Sequence, residues 1–106
     1  MSIKILKTSE FDKFIADAQV PVVVDYWAAW CGPCKMVLPI LEELSSDYEG
    51  TVVIAKVNVD DEPELMDGIR SIPTIRVFVK GKKVKEIVGA KNKPTLLKEL
   101  EEYLNA

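Results

Sequence analysis

Cys31 and Cys34 are the two cysteines of this 106-residue chain, separated only by Gly32 and Pro33. Two thiols that close can form a disulfide with each other and exchange it with a partner's. The chain has no histidine, so cysteine and histidine cannot complete a four-ligand zinc site within it. A redox dithiol is the chemistry this spacing favours. A metal shared by two chains, each giving two thiolates, stays open. A structural disulfide is a poor explanation, because so small a loop barely restrains the unfolded chain and disulfide scaffolds use many cysteines.

The flanking elements decide how such a pair would react. Val22 to Trp27 is an apolar, β-branched run broken only by Asp25, the pattern of a central strand buried on both faces. The stretch from Cys31 to about Tyr48 reads as a long helix, with Met36, Val37, Ile40, Leu41 and Leu44 inward. Pro39 should kink it, and Gly50 should stop it. Cys31 then lies where a strand's carboxyl end meets a helix, the usual place for sites in open α/β sheets. In the first helical turn its sulfur would face unpaired N–H groups and the positive end of the helix dipole, which favour thiolate. Cys34 sits one turn further in, on the same face, more buried and less ionised. The asymmetry predicts that Cys31 attacks a substrate disulfide and Cys34 resolves the mixed disulfide.

Cys34 must lose a proton at that step, and Asp25 is the candidate base. Burial would raise its pKa. Lys56 similarly interrupts Ile54, Ala55 and Val57 and could moderate that rise. The alternative is that both side chains emerge at strand edges into solvent. Gly32 supplies backbone freedom and room for a second chain, while Pro33 suits a helix opening. Trp30 is either core or an exposed recognition surface, and the bare sequence favours core.

The remaining elements supply the frame. Ile3, Ile5 and Leu6 read as a first strand. Thr8 or Ser9 can cap a helix carrying Phe11, Phe14, Ile15 and Ala18, with Asp12 approximating a capping box. Thr51 to Val59 reads as a second buried strand, followed by a helical segment from about Glu62 to Gly68. Ile75–Val79 and Val84–Val88 form a hairpin across Lys80-Gly81-Lys82-Lys83. A last helix, capped by Asn92, presents Leu96, Leu97, Leu100, Tyr103 and Leu104. The order β-α-β-α-β-α-β-β-α predicts an α/β fold with parallel strands and an antiparallel edge, as one domain over residues 1–106.

Composition agrees. A hydrophobic share of 48% supports a core, and 29% charged residues exclude a disordered or membrane-spanning chain. Net charge is −3. Seven lysines after residue 79 are interleaved with glutamates and have no aromatic platform, which speaks for a solvated surface over nucleic acid. Met1 to Ile5 lacks the pattern of a leader, so the cytoplasm is the default location. We expect a monomer without a metal or other cofactor.

Trp30-Cys31-Gly32-Pro33-Cys34-Lys35 resembles the active-site motif of the thioredoxin family. Val24-Asp25-Tyr26-Trp27-Ala28 looks like the family's strand with the buried aspartate, and Pro39 like its helix proline. Ala55-Lys56-Val57-Asn58-Val59-Asp60 is similar to its next strand. Gly68-Ile69-Arg70-Ser71-Ile72-Pro73-Thr74 looks like its cis-proline segment, and Val88-Gly89-Ala90 like its glycine loop. The resemblance runs from about Leu6 to Leu104. It implies a five-stranded mixed sheet flanked by four helices, and protein disulfide reduction with electrons from a thioredoxin reductase. It also implies a cis Pro73 against the cysteines. Trp30, Gly32, Pro33, Ile72, Pro73, Gly89 and Ala90 would meet oxidised protein substrates, with Ile72 offering its backbone as in strand addition. Two departures stand out. Four residues lie between Pro63 and Gly68 where the family usually has six, with Asp67 replacing a common tyrosine. Tyr26 stands where phenylalanine is frequent, and its buried hydroxyl would need a partner.

Three functions compete. The first is a disulfide reductase. The second is an oxidase or isomerase, against which Gly32-Pro33 argues because it adds no charge or donor to stabilise the thiolate further. The third is a redox-independent binding module or subunit of a larger assembly.

Overall fold

The computed structural model describes residues 3–104; Met1 and Ser2, part of the stretch read above for a leader, lie outside them. The elements are β1 (Lys4–Ile5), α1 (Thr8–Asp17), β2 (Val22–Trp27), α2 (Gly32–Asp47), β3 (Val53–Asn58), a 3₁₀ turn (Pro63–Met66), β4 (Thr74–Val79), β5 (Lys82–Val88) and α3 (Lys93–Leu104). The strands form one sheet in the order β1-β3-β2-β4-β5. β1, β3 and β2 run parallel, while β4 and β5 are antiparallel additions. The α1 and α2 crossovers account for the parallel β1-β3-β2 half and the tight turn for the β4–β5 pair, while β4 enters antiparallel to β2 after the 3₁₀ segment.

β2 is the central strand, and Val22 to Tyr26 are all buried. Successive side chains point to opposite faces, so β2 feeds two cores. One gathers Val23, Val37, Leu41, Leu44, Ile75, Val77, Leu96 and Leu100 beneath α2 and α3. The other gathers Phe11, Ile15, Val22, Val24, Tyr26 and both cysteines on the α1 side.

Three α-helices, not four, flank the sheet among the described residues. The expected helix from Glu62 to Gly68 shrinks to a single 3₁₀ turn. Pro63 brings no N–H to the segment, and Gly68 takes a left-handed φ of +78°. The stretch between them is too short to build i→i−4 hydrogen bonds. The hairpin connection is also tighter than the four lysine-rich residues implied. Lys82 and Lys83 already pair with Val79 and Phe78. The turn is Lys80-Gly81, both with positive φ, as the twist of a two-residue hairpin requires. Asn92 caps α3 as expected, accepting the Thr95 N–H at 3.0 Å.

Met36, expected inward, is 71% exposed. It follows Gly32 by four residues and Pro33 by three, so it shares their solvent face, while Val37 turns inward. The first helix departs in its cap. Its N-cap residue is Lys7, without a side-chain cap. Neither Thr8 nor Ser9 occupies that place, and no capping box forms with Asp12. Glu62, from the far side of β3, caps the helix instead: its Oε1 accepts the N–H and the hydroxyl of Thr8, both at 2.8 Å. A carboxylate there suits the helix dipole. The Thr8 N–H, then its hydroxyl, hold the Glu62 carboxyl below its ordinary 4.5.

A lowered pKa means stability that is present above the ordinary carboxylate range and lost as pH falls through the lowered value. Glu62→Gln is therefore expected to reduce Tm at pH 7, with the gap to wild type closing towards pH 3. Thermal unfolding at both pH values measures this. An equal gap at both would show that the charge of Glu62 plays no part.

Candidate redox active site

The chain leaves β2 through a turn closed by the Cys31 N–H donating to the Ala28 carbonyl at 3.1 Å. Cys31 is the N-cap of α2, with extended backbone. Its sulfur takes the place that a serine or aspartate oxygen usually fills and accepts the Cys34 N–H at 3.2 Å. Pro33 lies in the first turn, where its missing N–H leaves no gap. α2 continues unbroken past Pro39. Cys31 and Cys34 form a disulfide, their Cα atoms 5.3 Å apart. Cys31 keeps slight exposure and Cys34 none. Reduction would leave the Cys34 N–H aimed at Cys31 Sγ, a charge-assisted bond to a thiolate. A Cβ on Gly32 would meet nothing within 4 Å, so the spacer faces open space.

Asp25 is fully buried in β2, and neither carboxylate oxygen has a hydrogen-bond partner among the described residues. Burial pushes its pKa from 3.8 up to about 7, with the Lys56 charge pulling the other way. Lys56 pairs with it in the β2–β3 register and is half-buried. Its Nζ lies 5.3 Å from the centre of the Trp27 ring, a cation–π placement, and it makes no ion pair with Asp25. The solvent-edge alternative thus fails for Asp25 and holds in part for Lys56.

The Ile72–Pro73 peptide is cis. The Ile72 carbonyl oxygen lies 3.8 Å from Cys31 Sγ. In the disulfide this sulfur has no proton to give, so the contact is van der Waals; a thiol could donate across it. The Gly89 N–H donates to the Pro73 carbonyl at 2.8 Å, with Gly89 at a φ of +92°. Three places distant in sequence are so gathered: Cys31, the Ile72–Pro73 pair and Gly89. Ala90 is exposed beside Gly89.

Trp30 is 70% exposed, not core. It lies beyond the end of β2, outside both apolar clusters. Its indole N–H donates to Asp60 Oδ2 at 2.8 Å, and the Asp60 N–H is in turn held by Asn58 Oδ1 at 2.9 Å. Asp60 is a site neighbour that residue patterns did not single out, because an acid after a strand reads as ordinary turn chemistry. Tyr26 is buried, and Arg76 is its polar neighbour, with the guanidinium carbon 5.4 Å from the ring centre. Among the described residues, no group of three or more His, Cys, Asp or Glu could hold a metal ion, and no helix is long and apolar enough to cross a membrane.

The family model described as Thioredoxin matches residues 2–102. Thioredoxin 1 of Nostoc sp. is 48% identical over 91% of this chain and 92% of its own length. The thioredoxin of Pyropia yezoensis is 39% identical over 99% of this chain and all of its own. A chloroplastic M-type thioredoxin of Spinacia oleracea is 41% identical over 92% of this chain and 55% of its own.

An acid whose folded pKa is raised holds extra protons in the native state between pH 3.8 and about 7, so stability falls as pH rises through that window. Asp25→Asn is expected to stabilise the oxidised protein at pH 8 by up to about 4 kcal/mol, and to have little effect at pH 3.5. Denaturant titrations at the two pH values test this. Destabilisation at pH 8 would mean that the buried carboxylate has a compensating partner.

Proposed function

The chain belongs to the thioredoxin family of thiol–disulfide oxidoreductases, and on that premise we propose that it is a general protein disulfide reductase re-reduced by a thioredoxin reductase. The observation that carries the reading is Cys31 Sγ at the N-cap of α2, accepting the Cys34 N–H. The Cys31 thiolate attacks one sulfur of a substrate disulfide. A mixed disulfide forms, and the other substrate sulfur leaves as a thiolate that takes up a proton from water. Cys34 gives its proton to Asp25 and attacks Cys31 Sγ. The second substrate thiol leaves, and two electrons have passed from the dithiol to the substrate. With a pKa of about 7, Asp25 is matched to a proton exchange near neutral pH. Lys56 tunes that value from the neighbouring strand.

Substrate peptide would run along Ile72, Pro73, Gly89 and Ala90, with Trp30, Gly32 and Pro33 on its other side. The exposed Trp30, held by Asp60, supports an apolar docking rim. The disulfide is the only redox group this reading uses. It places a monomeric, single-domain protein in the cytoplasm, a compartment that keeps thiols reduced.

Cys31→Ser should abolish reduction of insulin, while Cys34→Ser should accumulate a mixed disulfide at Cys31, seen by mass spectrometry. Asp25→Asn should slow release of that intermediate at pH 7 by about tenfold or more. The gap should narrow above about pH 9, where a thiol ionises unaided. Trapping at Cys34 in the Cys31→Ser variant would reverse the assignment of attacker and resolver.

A further inference from the structure

Arg76 does work that none of the steps above requires. It interrupts the apolar run of β4 and is only 9% exposed, in a row with Val24 on one side and Glu86 on the other. Its Nε donates to Glu86 Oε1 at 2.9 Å, and Lys83 reaches the same oxygen at 3.3 Å. Arg76 is nearly buried but Glu86 is exposed, and an ion pair with one partner in solvent adds little stability. What arginine adds is direction. A Cβ on Gly68 would fall 2.9 Å from Arg76 Nη2, so the guanidinium lies directly against the backbone there.

Gly68 opens the loop that ends in the cis Ile72–Pro73 peptide. Thr74, two residues before Arg76 and on the same face of β4, donates from its hydroxyl to the Ser71 carbonyl at 2.7 Å. The strand the loop leads into thus meets it at two points: the Arg76 guanidinium packs against Gly68, and the Thr74 hydroxyl bonds Ser71. Between these points Ile69 packs, half-buried, against the α1-side core, and beyond them so does Ile72. Only four residues separate Pro63 from Gly68, and their 3₁₀ turn gives the loop no long helix to lean on. Arg76, anchored by Glu86 and flanked by the Tyr26 ring, fills that supporting place.

We infer that Arg76 is a positioning residue for the 68–72 loop, setting how well a peptide disulfide docks at Ile72 without altering the thiols. The inference rests on the reductase reading, in which Ile72 meets the substrate backbone. The test compares single-turnover reduction of insulin with that of a small aromatic disulfide that makes no peptide contact. Arg76→Met fills the same space without the fork. It is expected to slow insulin reduction about fivefold and to leave the small disulfide within about twofold of wild type. Glu86→Gln, which keeps the volume and frees the anchor, should show the same selective loss to a smaller extent and serves if Arg76→Met does not fold. An unchanged insulin rate, or equal slowing with both substrates, overturns the inference. A wild-type protein that reduces the small disulfide but not insulin overturns the reductase reading, and this one with it.

Discussion

The bond from the Cys34 N–H to the Cys31 sulfur governs the geometry of the site. A helix must satisfy its first N–H groups from outside its own ladder. Here the reactive sulfur meets that demand, so starting α2 and aiming Sγ are one event. The turn from Ala28 to Cys31 brings the chain off the central strand at the one place where sulfur can take this role. Pro33, lacking an N–H, then suits the first turn. Shifting the helix start by a residue would leave the N–H groups uncapped and the sulfur pointing elsewhere.

Around that bond the protein grades its solvation steeply. Trp30, Gly32 and Pro33 face solvent, Cys31 is nearly closed off, and Cys34 and Asp25 are fully buried. Burial penalises charge, which is why Asp25 retains its proton far above the ordinary carboxylate range. The half-buried Lys56 lowers that penalty without cancelling it, its Nζ resting over Trp27. The opposite wall of the site belongs to the loop ahead of β4 and to Gly89. Backbone groups dominate there: the Ile72 and Pro73 carbonyls and the Gly89 N–H.

Much of the frame was legible from pattern. Val22 to Trp27 read as a doubly buried central strand because its apolar run has no alternation, and Asn92 read as a cap because its side chain does capping chemistry. The departures have both distant and local causes. Thr8 and Ser9 looked like caps by residue type, but the carboxylate that caps α1 comes from Glu62, 54 residues away. Met36 and Trp30 looked like core by hydrophobicity; one shares the outward face of Gly32 and Pro33, and the other is held outside by Asp60. The helical segment read over Glu62 to Gly68, which would have made the four helices that the family likeness implied, is bounded by Pro63 and Gly68 and closes as one 3₁₀ turn.

Arg76 shows where local reading stops. It breaks an apolar strand just as Asp25 and Lys56 do, so the same signal was present. Its meaning lay in Glu86 on the next strand and Gly68 across the loop. The dithiol chemistry and the α/β order were readable from the chain alone, because cysteine spacing and apolar period are local properties; the interrupted apolar run marked Asp25 but left its burial open. What needed the folded molecule was the burial of Asp25 without a hydrogen-bond partner, the tryptophan that faces solvent, and the way the Ile72–Pro73 loop is held. Each of those depends on atoms brought together from distant parts of the chain, and their contacts carry no local mark.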